Sequence, residues 1–325
     1  MKVEIPDQLK ADVPQSVWGK ILNATPVVMA VIATMLAGLS SSEMTRAQYD
    51  RSSAAQQQSK AGDQWSFFQA KKLRGALQHN TFDIVQSAAE VHPFSPAALD
   101  QFIQQLPAQF AKATTDVLPL LESAPSQETL AALQRTQLPA LNPGPALDPK
   151  LKAALGAIDN AKQDPLATAL IVQVDDKTLN DALVAAKEQS QAFDAAIQPV
   201  SQAIDQIEKL FGQLMAAGAS PAGASLNRDF TAARLRYTAL RYDAEARLNQ
   251  AIANLYEVQV RKSNYSAERH HIRSQRFFYG MLAAQLGVII ATFAIAARKR
   301  NLLWALAAAA GSAAVAFAIY VYVCV

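Results

Sequence analysis

Residues 227–297 read NRDFTAARLRYTALRYDAEARLNQAIANLYEVQVRKSNYSAERHHIRSQRFFYGMLAAQLGVIIATFAIAA. The stretch has no proline, and its first glycine is Gly280. Proline removes a backbone donor and clashes with the preceding turn, and glycine weakens a helix interior, so this run predicts one long helix. Phe230, Ala233, Tyr237, Leu240, Ala244, Leu248, Ile252, Leu255 and Val258 recur at spacings of three and four, which marks one helix face. From 277 to 297 the stretch turns predominantly apolar. Arg298, Lys299 and Arg300 follow, then a second apolar run, 302–323. A third, 21–39, lies near the start of the chain. A helix rises about 1.5 Å per residue, so about 20 apolar residues cross a ~30 Å hydrocarbon core. All three runs meet that length.

Composition agrees with a membrane. Hydrophobic residues are 51% of the 325-residue chain and charged residues 18%, against roughly 25% charged in soluble proteins. A net charge of +3 is too small to point to a nucleic-acid partner. The only cysteine, Cys324, leaves no partner for an internal disulfide and no cysteine cage for a metal. Asn23, Thr25 and Pro26 sit at the entry of the first run, where water and headgroups satisfy them. The stretch before it carries Glu4, Asp7 and Asp12 beside Lys2, Lys10 and Lys20. A cleaved signal peptide has a short basic start instead, so an uncleaved anchor is expected.

Orientation follows from the Lys and Arg residues in short loops. The tight 298–300 turn is expected to lie with the N-terminal tail in the cytoplasm, and residues 41–276 outside. Arg269, Arg273 and Arg276 crowd the other end of the second span and argue the other way. Long loops translocate largely regardless of charge. At the bilayer edge these arginines, with Arg298, Lys299 and Arg300, are expected to meet lipid phosphates.

No proline occurs from Val27 to Asn80, so the first span should continue as a helix to about 80. Residues 227–276 should return beside it, making an antiparallel stalk. If both arms leave the bilayer straight, facing residue numbers sum to roughly 316, give or take a turn. Lys71 then meets Glu245, Trp65 meets Ala251, Lys60 meets Glu257, and Glu43 meets Arg273. Between the arms, prolines from Pro93 to Pro165 cut the chain into short helices, with Ser95-Pro96 and Asp164-Pro165 as helix starts. The run Leu170–Val174 reads as helix, since no strand partner lies near it. Leu179, Leu183, Phe193, Ile197, Val200, Ile204, Ile207, Phe211 and Leu214, with Ala186 and Ser190, alternate spacings of four and three. That is a coiled-coil repeat, interrupted by Pro199. It predicts either a helix on its own domain's core or a seam between subunits.

The expected division is a tail at 1–20, spans at 21–40, 277–297 and 302–325, stalk arms at 41–80 and 227–276, a helical head at 81–226 and a basic turn at 298–301. The fold class is all-α: a membrane protein with three transmembrane helices, a stalk continuous with the first two, and a head with a coiled-coil-like segment.

Gly62-Asp63-Gln64-Trp65-Ser66-Phe67-Phe68-Gln69-Ala70-Lys71 resembles the Asp-x-Trp-x-x-aromatic-Gln-Ala-Lys signature of the DUF4337 family. The likeness covers about 17–80 and 227–323, with 82–226 enlarged. It implies a bacterial membrane protein and carries no assigned activity. Asp63, Trp65, Phe68, Gln69 and Lys71 are then the motif residues, expected to knot the stalk arms together or to meet a partner.

No motif commits the chain to chemistry. There is no Gly-rich phosphate loop, nucleophile elbow or His-Glu-x-x-His. Glu268 and His271 have the spacing of one half of a di-iron motif, but such sites need it twice. No cofactor and no catalysis are expected. Gln285, alone and polar near the middle of the second span, should bond between helices or line a path. Gly280, Ala283, Ala284 and Gly287, with the small residues of 305–312, should let spans approach closely. The expected role is a membrane-anchored homo-oligomeric scaffold. Its partners are the lipid bilayer, further copies of the chain, and an unidentified protein through residues 81–226. A channel or transport accessory with a pore between transmembrane helices is the alternative.

Overall fold

The computed structural model describes residues 17–106, 119, 121–139, 144, 146–159, 164–216, 220–296 and 300–324. Helix takes up 92% of them, and no strand occurs among them. The helices are α1 Val17–Ala88, α2 Pro96–Gln104, α3 Ala124–Arg135, α4 Pro149–Asp159, α5 Asp164–Val172, α6 Asp176–Ala216, α7 Pro221–Ala296 and α8 Arg300–Cys324. The tail at 1–16 and the turn residues Arg298 and Lys299 lie outside the described residues, as do the side chains of Arg300 and Leu214.

Short polar side chains and prolines set the helix starts. Ser95 Oγ accepts from the Ala98 amide at 3.4 Å, ahead of Pro96. Asp148 Oδ1 accepts from Lys150 and Leu151 at 2.8 and 3.3 Å, ahead of Pro149. Asp175 Oδ2 accepts from Lys177 and Thr178 at 3.0 and 3.3 Å, opening α6. Each pairs a side-chain acceptor with amides that have no partner inside the helix. Thr136 closes α3 in the left-handed conformation at φ 52°, where an αL residue lets its amide reach the carbonyls of Ala132 and Leu133. The Leu170–Val174 run is helical through Val172, as its surroundings predict.

Two boundaries differ from expectation. The first helix runs to Ala88, because nothing before His92-Pro93 breaks it. The returning helix begins at Pro221, and proline is compatible with a first helical turn.

Residues 1–55 with 260–325 form one compact unit, and residues 56–259 form another. In the first, the small residues act as expected. Ala33, Leu36, Phe277, Ala284, Ala314 and Val321 make its core, with Ile32, Met281, Ala283 and Ala318 packed against it. Ala284, Ala291 and Ala294 are fully covered. Ala307, Ala314 and Val321 repeat every seventh residue on α8, and all are buried. The three apolar windows themselves are only 17%, 28% and 11% buried inside the chain. Apolar surface left open on that scale needs a cover other than this chain, and lipid supplies it. The chain is thus an all-helical protein with three helices long and apolar enough to cross a membrane.

The second unit has two adjoining apolar clusters. One gathers Phe94, Leu99, Ile103, Leu130 and Leu133 with Phe193, Ile197, Ile204, Ile207 and Phe211 of α6, and Phe230 and Tyr237 of α7. The other gathers Leu151, Ala154, Ile171 and Val174 with Leu179 and Leu183 of α6, and Ile252, Leu255, Tyr256 and Val258 of α7. The 3.5-residue repeat of α6 is therefore consumed by its own unit. Leu179, Leu183, Phe193, Ile197, Ile204, Ile207 and Phe211 are buried, and Val200 is packed against the first cluster. Of the two readings the spacing left open, the covered side chains support a helix on its own domain's core. Pro199 lies inside α6 without ending it.

The stripe from Phe230 to Val258 likewise faces these clusters, apart from Leu240, which is exposed. A second buried face of α7 escaped the sequence reading. Ala239, Ala246, Ala253, Val260, Ala267 and Ser274 recur every seven residues, and all are buried. Ala47, Ala54 and Ala61 do the same on α1, and Ala33 lies two such steps before Ala47 with half-buried Ser40 between them. Small residues at a heptad spacing let two helix backbones approach closely along a shared seam. Alanine carries little hydropathy, so a search for large apolar residues passes over such a face.

Candidate functional site

The Asp63–Lys71 motif lies in the second unit, on α1. One side of this helix faces the rest of the unit. Trp65 and Phe68 are half-buried and meet edge to face, with centroids 5.4 Å apart. Lys71 forms an ion pair with Glu245 of α7. Glu245 is only 5% exposed, so its carboxylate needs full compensation. It also accepts from Arg241 Nε at 2.7 Å, and Arg241 Nη1 donates to Ser201 Oγ of α6 at 2.7 Å. Lys71 and Arg241 both lie over the ring of Tyr242, at 5.5 and 5.4 Å. This polar knot joins α1, α6 and α7. Burial foremost, then the nearby Glu245 carboxylate, raises Asp194 above the usual carboxylate range, with Lys71 and Arg241 opposing. Beside the knot, Lys72 Nζ donates to Asp243 Oδ1 at 2.9 Å.

The Lys71–Glu245 pair falls on the expected stalk register, and Lys72–Asp243 falls within a turn of it. In the first unit Ser40 Oγ donates to the Ser274 carbonyl at 3.0 Å, and Ser274 Oγ returns to the Ser40 carbonyl at 2.8 Å. These also keep the register within a turn. Glu43 departs from its expected partner. Its Oε2 is 2.5 Å from His270 Nδ1 and its Oε1 is 3.4 Å from Arg46, so Arg273 is not its ion-pair partner. His270 stands about one turn before Arg273 on α7, within the tolerance of the register.

A double-mutant cycle tests the knot. Lys71→Met and Glu245→Gln in the full chain should show a coupling of about 2 kcal/mol in unfolding free energy, since the pair is largely shielded. The more open Lys72–Asp243 pair should couple by less than about 1 kcal/mol. Equal couplings would mean the knot has no special weight.

The other side of α1 has no cover among the described residues. Asp63 and Gln69 are exposed, so a packing role accounts for Trp65, Phe68 and Lys71 but not for these two. Leu73, Leu77 and Ile84 are exposed at 72%, 61% and 65%. Gln56, Ser59, Asp63, Ser66, Ala70, Leu73, Leu77, Asn80 and Ile84 alternate spacings of three and four, and every one is exposed. The apolar part runs from Ala70 to Ile84 with Asn80 inside it. Sequence reading missed this stripe because its first half is polar and because the stronger repeat of α6 drew the inference.

In the first unit Gln285 is exposed. It is therefore not held between the spans of its own chain. Leu282, Leu286, Ile289 and Phe293 around it are exposed as well. Arg273 and Arg46 line a crevice of about 650 Å³ with Leu39, Phe277, Ile319 and Tyr322. The Arg276 guanidinium lies 5.8 Å from the centre of the Tyr320 ring, and Arg269 is exposed. A groove of about 720 Å³ in the second unit is lined mainly by Leu151, Leu155, Ala182, Ala186 and Leu255, with Asp148, Asp181 and Gln189. No group of three or more His, Cys, Asp and Glu residues is placed to hold a metal among the described residues.

Residues 18–147 match the family model described as "Domain of unknown function (DUF4337)". The match spans the motif and bears out the resemblance read from Asp63–Lys71, over 18–147 and so into the middle of the chain, rather than over 17–80 and 227–323. No curated protein and no solved structure matches the chain.

Proposed function

We propose that the protein is a membrane-anchored scaffold that assembles from copies of itself, with no catalytic role. The observation that carries this reading is the open stripe Ala70, Leu73, Leu77, Asn80 and Ile84 on α1. A 3.5-residue apolar period is the pattern by which one helix packs along a like helix. Leu73, Leu77 and Ile84 lose contact with water only if a second helix covers them, at roughly 1.5–3 kcal/mol per side chain. An Asn80 amide donates and accepts, so a second Asn80 satisfies it. The occupant we assign is a second copy of α1.

The face around Gln285 supports the same reading independently. A side-chain amide among exposed leucine, isoleucine and phenylalanine has no hydrogen-bond partner in hydrocarbon. The same amide on a second copy provides one. The lateral contacts are thus assigned to α1 and to the Gln285 face, rather than to the α6 repeat.

Cysteine crosslinking tests the assignment. With Cys324→Ser as background, Leu77→Cys and Ile84→Cys should each give a disulfide-linked dimer on mild oxidation in membranes. Val184→Cys, exposed elsewhere in the second unit, should not. Monomers only, by crosslinking and by native mass spectrometry of the extracted protein, would sink the proposal. A different protein on the stripe would give that monomeric outcome.

A further inference from the structure

We propose that the crevice between Arg46 and Arg273 is a binding site for one anionic phospholipid, its phosphate held by the arginines and an acyl chain laid along the end of α8. The inference rests on reading the three apolar segments as membrane spans. All of its residues belong to the first unit.

The crevice measures about 650 Å³, within the range of roughly 300–1,000 Å³ that small-molecule sites occupy. Its lining divides by chemistry. Ser42, Glu43, Arg46 and Arg273 supply the polar part, and Leu39, Phe277, Ala318, Ile319, Val321, Tyr322 and Val323 the apolar part. A ligand that matches it is charged at one end and aliphatic at the other. Ile319, Tyr322 and Val323 are 58%, 90% and 73% exposed, so this apolar wall has little cover from the described residues.

The sign of the charge follows from the pairing. The one carboxylate, Glu43, already faces His270 at 2.5 Å and Arg46 at 3.4 Å. Arg46 spends one nitrogen on that contact and is 63% exposed at its side chain. Arg273 Nε is shut off from solvent and has no hydrogen-bond acceptor among the described residues. A guanidinium donor buried without an acceptor is costly, and a planar fork of N–H groups is shaped for phosphate oxygens. The site therefore offers two cations to one satisfied anion. It favours a headgroup with net negative charge over a zwitterionic one, whose own cation would approach Arg46 and Arg273.

The location fits such a ligand. Leu39 and Phe277 end the apolar parts of α1 and α7 on this side, and Val321 to Val323 end that of α8. Phosphate belongs at the level where apolar helix surface gives way to charge.

Native mass spectrometry of the full chain in mild detergent tests this, with phosphatidylglycerol and phosphatidylcholine of matched acyl chains as probes and inorganic phosphate as a third arm. Phosphatidylglycerol should be retained about tenfold more tightly than phosphatidylcholine. Inorganic phosphate should not compete, because it has no chain to occupy the apolar wall. Arg273→Gln should remove most of the preference. Arg46→Gln, on an exposed side chain that leaves folding intact, should weaken it several-fold. Arg269→Gln, outside the crevice, should leave it in place. Equal retention of the two lipids, no change in both crevice variants, an equal loss in Arg269→Gln, or full competition by inorganic phosphate would each overturn the site. A chain that stays in solution without detergent would instead overturn the membrane reading, so the two failures are distinguishable.

Discussion

Phe230→Ala is expected to lower the unfolding free energy of the second unit by about 4 kcal/mol, through lost transfer energy and the cavity left behind. Phe230 is 1% exposed, with its ring centroid 5.6 Å from that of Phe94 and 5.0 Å from that of Phe211. The three rings bring together the segment before α2, the end of α6 and the start of α7. These groups are far apart in sequence, so the neighbours cannot collapse into the space without moving a helix. Denaturant titration of the full chain, followed by tryptophan emission and by helical circular dichroism, measures the loss. Leu240→Ala on the same helix should cost less than about 1 kcal/mol, because Leu240 lies at 37% exposure. Equal costs at the two positions would mean that α7 does not present this face to the unit's core.

Gly280→Leu is expected to separate the apolar helices of the first unit, at about 3 kcal/mol. A β-carbon at Gly280 would stand 3.2 Å from Phe317 Cβ, 3.3 Å from Leu36 Cδ1 and 3.4 Å from the Ala314 carbonyl. Two of those atoms belong to a main chain or sit next to one, so they cannot swing aside, and a leucine needs more room still. Gly287 is a different case. A β-carbon there meets the terminal methyl of Met29, and one placed at Gly311 would stand 2.9 Å from the Met29 sulfur and 3.1 Å from that methyl. Methionine has three rotatable bonds and can yield. Met29→Ala should therefore rescue Gly287→Leu in part while leaving Gly280→Leu unrepaired. Proteolysis of detergent-extracted protein reads both, since separated helices expose their ends. Equal rescue of the two glycine variants would disprove the assigned packing.

Much of this architecture could be read before any coordinates. Apolar runs long enough to cross a membrane, the absence of proline across the arms, and the Ser95-Pro96 and Asp164-Pro165 starts each express a local rule, and α1, α2, α5 and α7 follow from them. The Lys71–Glu245 pair was accessible too, because two helices treated as straight rods leave only one register to choose. The α6 repeat shows the limit. A spacing of three and four says that one face is apolar and leaves open what covers it. Leu179 and Leu183 could have met a second subunit, but they met α4, α5 and α7 instead. The reverse happened on α1. Leu73, Leu77 and Ile84 fall in a sequence too polar to attract notice, and they became a candidate site only because no helix among the described residues covers them.

The sequence by itself determined that this chain is helical, where three apolar segments lie, and how its two longest helices are paired in register. These depend on backbone hydrogen bonding, side-chain length and rise per residue, which act locally or along one axis. Only the tertiary structure decided which faces are spent and which remain open. Ala239, Ala246 and Ala253 are covered while Leu77 and Gln285 are not. The reason is that burial is a property of the neighbour as much as of the residue. Alanine is covered where backbones come close, and leucine stays open where no second helix arrives.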